Sequence, residues 1–200
     1  MTQVGGDSGV DAKLLGALDR AGHALDAELR RRARAEGVTP TQARVLLRLS
    51  AEPVERRRVG ALAAEFDVRQ PTVSDAVATL ERKGLVTRRQ DRRDARVVQL
   101  ELTARGRRRA ERLGGWDVRV RASLAVLAQD RKEAVLPLLL DLLADLNEEG
   151  VIAEARMCTT CRFYRRRSRA RPYCDLLEVP LEPHDLRVDC PEHEPRRAAA

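Results

Sequence analysis

Apolar residues recur mostly at three- and four-residue steps between Asp11 and Glu36 (Leu14, Leu15, Leu18, Leu25 and Leu29), a stripe that predicts an amphipathic helix ending at Gly37. Thr39 followed by Pro40 supplies a capping hydroxyl and a proline at the first helical position. Ala43, Val45, Leu46 and Leu49 continue that second helix towards Pro53. Val59 to Phe66 reads as a short Ala-rich helix, Asp67-Val68-Arg69 as a tight turn, and Gln70 to Lys83 as a helix broken by Gly84. Val73, Val77 and Leu80 form the buried stripe of that helix, which leaves Gln70, Thr72, Ser74, Asp75 and Thr79 mainly off it. Two short helices across a three-residue turn make a helix-turn-helix.

The period then changes. Leu85 to Arg89 and Val97 to Leu102 are alternating or β-branched runs, separated by Gln90-Asp91-Arg92-Arg93-Asp94-Ala95-Arg96, which predicts a hairpin with an arginine-rich tip. Thr103 caps a helix expected to run through Trp116 towards Leu127, weakened by Gly114-Gly115. Asp130 opens a last, Leu-rich helix ending near Gly150 or continuing to Met157. Pro137 should kink it or set its true start. No internal repeat is present. At about residue 157 the composition shifts to Arg, Pro, Cys and aromatic residues. The expected organisation is a disordered start (1–10), a helical domain (11–157), a Cys-rich module (158–195) and a disordered end (196–200).

Charge sharpens this picture. The chain of 200 residues carries a net charge of +7, which favours a polyanionic partner. Between Leu85 and Arg109 lie nine arginines against Asp91, Asp94 and Glu101, a local excess of +6. The charge is therefore focused on the hairpin and the following helix. No run approaches the roughly 18 apolar residues of a membrane span, and the N-terminus lacks the features of a secretory signal, so a cytoplasmic protein is expected.

Helix, turn, helix and an arginine-tipped hairpin make a winged helix, whose second helix enters the major groove while the wing reaches the adjacent backbone or minor groove. The fold class expected is mainly α with a small β-hairpin wing. Its candidate DNA-binding residues are Gln70, Thr72, Ser74, Asp75, Arg88, Arg89, Asp91, Arg92, Arg93 and Arg96. Asp75 is anomalous, since a carboxylate facing phosphates is repelled unless it accepts from a cytosine amino group or pairs with an arginine. Arg105 to Arg109 read equally as a solvated face or as phosphate contacts.

The stretch from Arg57 to Gly106, with Asp91-Arg92-Arg93 in the wing and Leu102-Thr103-Ala104-Arg105-Gly106 after it, resembles the DNA-binding domain of the MarR family of bacterial transcription regulators. The resemblance covers roughly residues 11–150. It implies a homodimer joined through the first and last helices, binding a pseudo-palindromic operator and usually repressing transcription. It also implies that Asp91 orients Arg93 towards DNA, with Arg96 adding a backbone contact. Many MarR relatives bind a small aromatic or amphipathic effector in a cleft between the dimer helices and the winged domain. The Leu-rich face of the last helix, with Asp141, Asp145, Glu148 and Glu149 beside it, reads as a dimer seam rather than a membrane face.

Four cysteines, Cys158, Cys161, Cys174 and Cys190, are the only ones in the chain and follow C-x2-C-x12-C-x15-C. A C-x2-C turn with two further thiolates suits a tetrahedral zinc site; the same set suits an iron–sulfur cluster or redox-active thiols. Zinc is the first expectation and a cluster the alternative. His184 and His193 are possible substitute ligands, although a lone surface histidine is the simpler reading of each. No Gly-rich phosphate loop or Ser/His/Asp arrangement points to an enzyme. The residues thus leave three roles open: a DNA-binding regulator, a regulator whose tail senses metal or redox state, and a protein–protein adaptor built on the winged-helix scaffold.

Overall fold

The computed structural model describes residues 9–91, 94, 96–166 and 171–196. Helix α1 (Gly9–Ala35) begins two residues before Asp11 and ends where Gly37 takes a left-handed conformation, φ 67°. Helix α2 (Pro40–Ala51) starts in a full capping box. Thr39 Oγ1 accepts from the Gln42 amide (3.2 Å), and Gln42 Oε1 accepts from the Thr39 amide (3.2 Å).

Helices α3 (Val59–Glu65) and α4 (Gln70–Arg82) flank the helix-turn-helix corner, where Asp67 adopts φ 51°. Strands β1 (Val86–Gln90) and β2 (Val98–Leu102) pair antiparallel from Val86↔Leu102 to Gln90↔Val98. The Leu100 amide also donates to the Arg57 carbonyl (2.6 Å), which ties the α2–α3 connection to the hairpin.

Where one helix was expected from Thr103 towards Leu127, there are two. Helices α5 (Ala104–Leu113) and α6 (Val118–Ala125) are separated at Gly114-Gly115, so the glycine pair breaks the helix outright. Helix α7 (Gln129–Glu148) runs through Pro137, which sits in its interior and is not its start. It stops before Gly150, φ 71°, rather than reaching Met157.

The Cys-rich segment, expected to be built from loops, contains a small antiparallel sheet in the order β3 (Tyr164–Arg165), β4 (Tyr173–Cys174), β5 (Val179–Pro180). Short 3₁₀ turns at Cys158–Thr160 and Pro183–Asp185 precede and follow it. Arg196, placed by sequence in the disordered end, donates through Nε to the Cys161 carbonyl (3.3 Å) and through Nη2 to that of Tyr164 (3.1 Å).

Two apolar cores result. The first joins Leu46, Leu49, Leu62, Val73, Val77, Leu80, Leu100 and Leu113 beneath the winged helix. The second joins Leu140 of α7 to Ala155, Met157, Tyr164, Leu181 and Leu186 of the tail, with Cys161 buried among them. Packing therefore crosses the compositional shift at residue 157. Part of the α7 stripe read as a dimer seam covers the Cys-rich segment instead.

The Leu-Thr-x-x-Gly run has a physical explanation. Thr103 Oγ1 caps α5 by accepting from the Gly106 amide (3.0 Å) and donates to the Gly84 carbonyl (2.8 Å), which fastens α5 to the end of α4. A Cβ on Gly106 would lie 1.9 Å from the Leu85 carbonyl oxygen, so only glycine permits that approach. Gly106→Ala should lower stability by about 3 kcal/mol, because the clash is with backbone. Urea unfolding checks this, and a loss below roughly 0.5 kcal/mol, the level of a neutral surface change, would show that α5 can back away.

Candidate nucleic-acid interface and cysteine cluster

Gln70, Thr72 and Asp75 are exposed on α4 and Ser74 is half-buried, while Val73, Ala76, Val77 and Leu80 face the first core. The polar start of α4 is thus presented on a rigidly packed helix. Gln70 folds back over α3, where an added Cβ on Gly60 would come within 3.2 Å of its Nε2.

Arg88, Arg89 and Arg96 are exposed on the wing. Two of them already hold carboxylates: Arg88 Nε lies 3.0 Å from Glu81, and Arg89 Nε 3.1 Å from Glu101. At these exposed positions such pairs contribute little stability and exchange readily for another anion. Asp91 accepts from Gln99 Nε2 (2.6 Å), and its amide donates to the Val97 carbonyl (2.8 Å), which closes the base of the wing loop. Arg92 and Arg93 lie outside the described residues.

The run from Arg105 to Arg109 divides. Arg107 donates to the Leu102 carbonyl (2.8 Å), and Arg109 pairs with Glu36 (3.2 Å), so these two brace the fold. Arg105 and Arg108 remain exposed.

A network that spacing alone does not signal lies behind the helix-turn-helix. Glu52 is only 4 % exposed and meets Arg156 (3.0 Å), Arg56 (3.3 Å) and Arg48 (3.5 Å). Arg48 also pairs with Glu65 and with Asp189 (2.9 Å), Arg156 with Asp189 (3.2 Å), and Arg56 with Glu154 (2.5 Å). Burial pushes the Glu65 carboxyl above its usual range, more than the neighbouring guanidinium of Arg48 draws it down. At the corner itself, Asp67 Oδ1 accepts from the Ala153 amide (2.8 Å). The segment after α7 is thereby fastened to α2 and to the turn.

All four cysteines line one cavity of about 590 Å³, together with Phe163, Leu181, Leu186 and Arg187. The C-x2-C pair closes a tight turn, the Cys161 amide donating to the Cys158 carbonyl (3.0 Å). Cys158 Sγ accepts from the Arg187 amide (3.2 Å), and Cys190 Sγ lies 3.6 Å from Arg187 Nη1. Burial pushes the Cys158 thiol up; the Arg187 amide opposes this, and the other three cysteines reinforce it. Among the described residues no three His, Cys, Asp or Glu side chains stand as a group that could hold a single metal ion.

Of the two candidate histidines, His184 lines the same cavity as the cysteines, and both have other partners. His193 Nε2 lies 2.9 Å from Thr160 Oγ1, whose hydroxyl also reaches the Ala155 carbonyl (2.6 Å), and His184 lies 3.6 Å from Glu133.

Against known proteins, residues 36–97 match the sequence profile of the MarR family. Over that segment the chain is similar to the MarR family. The segment matched runs from the end of α1 to the start of β2. NadR in complex with 4-hydroxyphenylacetate aligns over 73% of this chain and 97% of its own, at 28% identity and TM-score 0.53. A MarR family transcriptional regulator from Silicibacter pomeroyi aligns over 65% and 87%, at 27% identity and TM-score 0.56. MepR of S. aureus, solved with DNA, shares the fold over 65% and 96% at TM-score 0.58 and 23% identity. No curated protein matches the chain in sequence. MarR regulators are DNA-binding transcription factors and not enzymes. Among the described residues no helix is long and apolar enough to cross a membrane.

Burial holds the His193 imidazole below its ordinary value of 6.5. A histidine depressed in the folded state contributes stability that is full above the unfolded value and lost as pH falls through the folded one. Thermal unfolding followed below about pH 6.5 should show the melting temperature falling, and His193→Gln should flatten that dependence. An unchanged slope in the variant would assign the acid sensitivity elsewhere.

Proposed function

We propose that the chain is a DNA-binding transcription regulator that acts in the cytoplasm as a homodimer on a pseudo-palindromic operator, usually as a repressor. The observation that carries this reading is the pairing of a packed α4, exposing Gln70, Thr72 and Asp75, with a wing carrying exposed Arg88, Arg89 and Arg96 beside it. In this reading the α4 side chains meet base edges, while Arg88, Arg89, Arg92, Arg93 and Arg96 meet phosphates or the minor groove. Asp91 positions the wing loop from which Arg93 reaches the DNA. The adaptor role has no comparable support, since a protein partner would not call for an arginine excess at the wing tip.

Support for the dimer comes from apolar side chains left uncovered in one chain. Leu14, Leu15 and Leu18 on α1, Val118 and Leu124 on α6, and Leu138 and Leu142 on α7 are all exposed. Covering them with a second copy removes further apolar surface from water, worth about 25 cal/mol for each Å² buried. Leu15→Asp should shift the chain towards monomer in sedimentation or light scattering; an unmoved mass would place the seam elsewhere.

An effector has a place to bind. A cleft of about 840 Å³ between α1, α2, α3 and the α5–α6 turn is lined by Leu25, Leu47, Phe66 and Trp116, with Arg44 and Arg121 at hand. Its lining is aromatic, and Arg44 and Arg121 rest on Asp26 and Asp117, so a small aromatic acid, the chemistry of the 4-hydroxyphenylacetate held by NadR, would bind by taking a guanidinium from its carboxylate. Trp116 is the chain's only tryptophan, so its fluorescence reports binding directly. Aromatic carboxylates are expected to change it saturably, and a flat response at millimolar ligand would remove the cleft as an effector site.

The regulator itself is tested by band shifts on the DNA upstream of its own gene. Replacing Arg93 or Arg96 by Ala should weaken binding across all sequences and lower the salt dependence by about one unit of log–log slope, the loss of one phosphate contact. Wild-type affinity in both variants would defeat the assignment, and the absence of any shift at low salt would defeat the function.

A further inference from the structure

The described residues outside the winged helix gather nucleophilic side chains in one place, the cavity beside α7 where the four thiols meet. We propose that Cys158, Cys161, Cys174 and Cys190 hold an iron–sulfur cluster whose presence stiffens the helix-turn-helix through Arg156 and Asp189. That the stiffened element reads DNA rests on the function proposed above; the cluster and the stiffening do not.

Dimensions decide between a cluster and one zinc ion. Zinc bonds thiolates at about 2.3 Å, so its four sulfurs crowd to within roughly 4 Å of one another. All four cysteines line a single cavity of about 590 Å³, a space far larger than one ion fills. A cluster several ångströms across, with an iron for each thiolate at its rim, takes sulfurs set apart around a space. The wall is apolar on one side, where Phe163, Leu181 and Leu186 keep water from the sulfides. On the other side Arg187 supplies its amide to Cys158 Sγ (3.2 Å) and its guanidinium to Cys190 Sγ (3.6 Å), donors of the kind that stabilise cluster thiolates.

Each cysteine gives its proton to solvent as its sulfur bonds one iron. The Cys190 thiol, now 3.5 Å from Glu192 Oε2, would then turn from that carboxylate. Arg187 already holds Glu192 (3.0 Å) and remains between the two charges.

Two of the ligands sit on the segments that grip the winged helix. Cys190 donates its amide to the Arg156 carbonyl (2.8 Å) and accepts from Arg156 Nη2 (3.1 Å) through its own. Arg156, two residues before Cys158, reaches Glu52; Asp189, next to Cys190, reaches Arg48. Drawing Cys158 and Cys190 onto one cluster fixes both grips at once. Without it the two stretches of chain are joined by hydrogen bonds, the Arg156–Asp189 pair (3.2 Å) and apolar packing alone.

The full chain purified anaerobically should be brown, absorb near 400 nm and contain iron and acid-labile sulfide in equal amounts. A colourless chain, with about one zinc or with no metal, overturns the site. Cys174→Ser should lose the iron, with far-ultraviolet circular dichroism confirming that the helices persist; retained iron in that variant also overturns the ligand set. Hydrogen exchange of residues 48–82, compared before and after chelation, should quicken at least fivefold when the cluster is removed. Asp189→Asn should keep its iron but lose most of that difference. Equal exchange with and without cluster, in a chain shown to contain it, overturns the coupling. None of these readings uses DNA, so a failure to bind DNA is recorded separately.

Discussion

A carboxylate buried at the end of α2 sets the terms for the rest of the molecule. Glu52 is almost fully withdrawn from water, and a charge there is tolerated only if matched. Three guanidinium groups match it, each from a different stretch: Arg48 within α2, Arg56 in the connection to α3, and Arg156 after α7. Arg57 adds a hydrogen bond to the Glu52 carbonyl (2.9 Å) while its own carbonyl accepts from Leu100 of the wing. One residue thus joins the start of the helix-turn-helix, the hairpin and the C-terminal segment. Removing a single partner of such a set leaves a buried charge unmatched and costs about 3–5 kcal/mol, so the arrangement holds together or is lost as a unit.

From that anchor the functional surface follows. α4 is fixed by its Val73, Val77 and Leu80 stripe, and the wing is fixed to α5 by Thr103 and by the glycine that lets Leu85 approach. What remains free to meet a ligand is what the core did not use: the polar start of α4 and the arginines of the hairpin. Arg88 and Arg89 rest on Glu81 and Glu101, so in the proposed function DNA would exchange one anionic partner for another rather than capture bare cations.

Periodicity made most of this legible in the sequence. The helix stripes, the three-residue corner and the alternating hairpin are local patterns, and they appear within a residue or two of where they were expected. The long helix after Thr103 failed because two adjacent glycines remove side-chain support and favour unfolded backbone more than a weakened helix allows. Splitting the arginines of α5 into braces and free cations needed tertiary partners, Glu36 and the Leu102 carbonyl, that spacing does not name. The Glu52 network likewise depends on Arg156, 104 positions further along the chain. The cysteine pattern marked a cluster of thiols, but that Cys158, Cys161, Cys174 and Cys190 line one cavity with Phe163, Leu181, Leu186 and Arg187 became visible only in the folded chain.

The central claim is that α4 and the wing of two copies read duplex DNA together. Hydroxyl-radical footprinting of the full chain on DNA upstream of its gene tests it most directly. Two symmetric protected patches, centred about one helical turn or 10 base pairs apart, are the predicted result. Uniform cleavage at low ionic strength, where even weak phosphate contacts would hold, would contradict it.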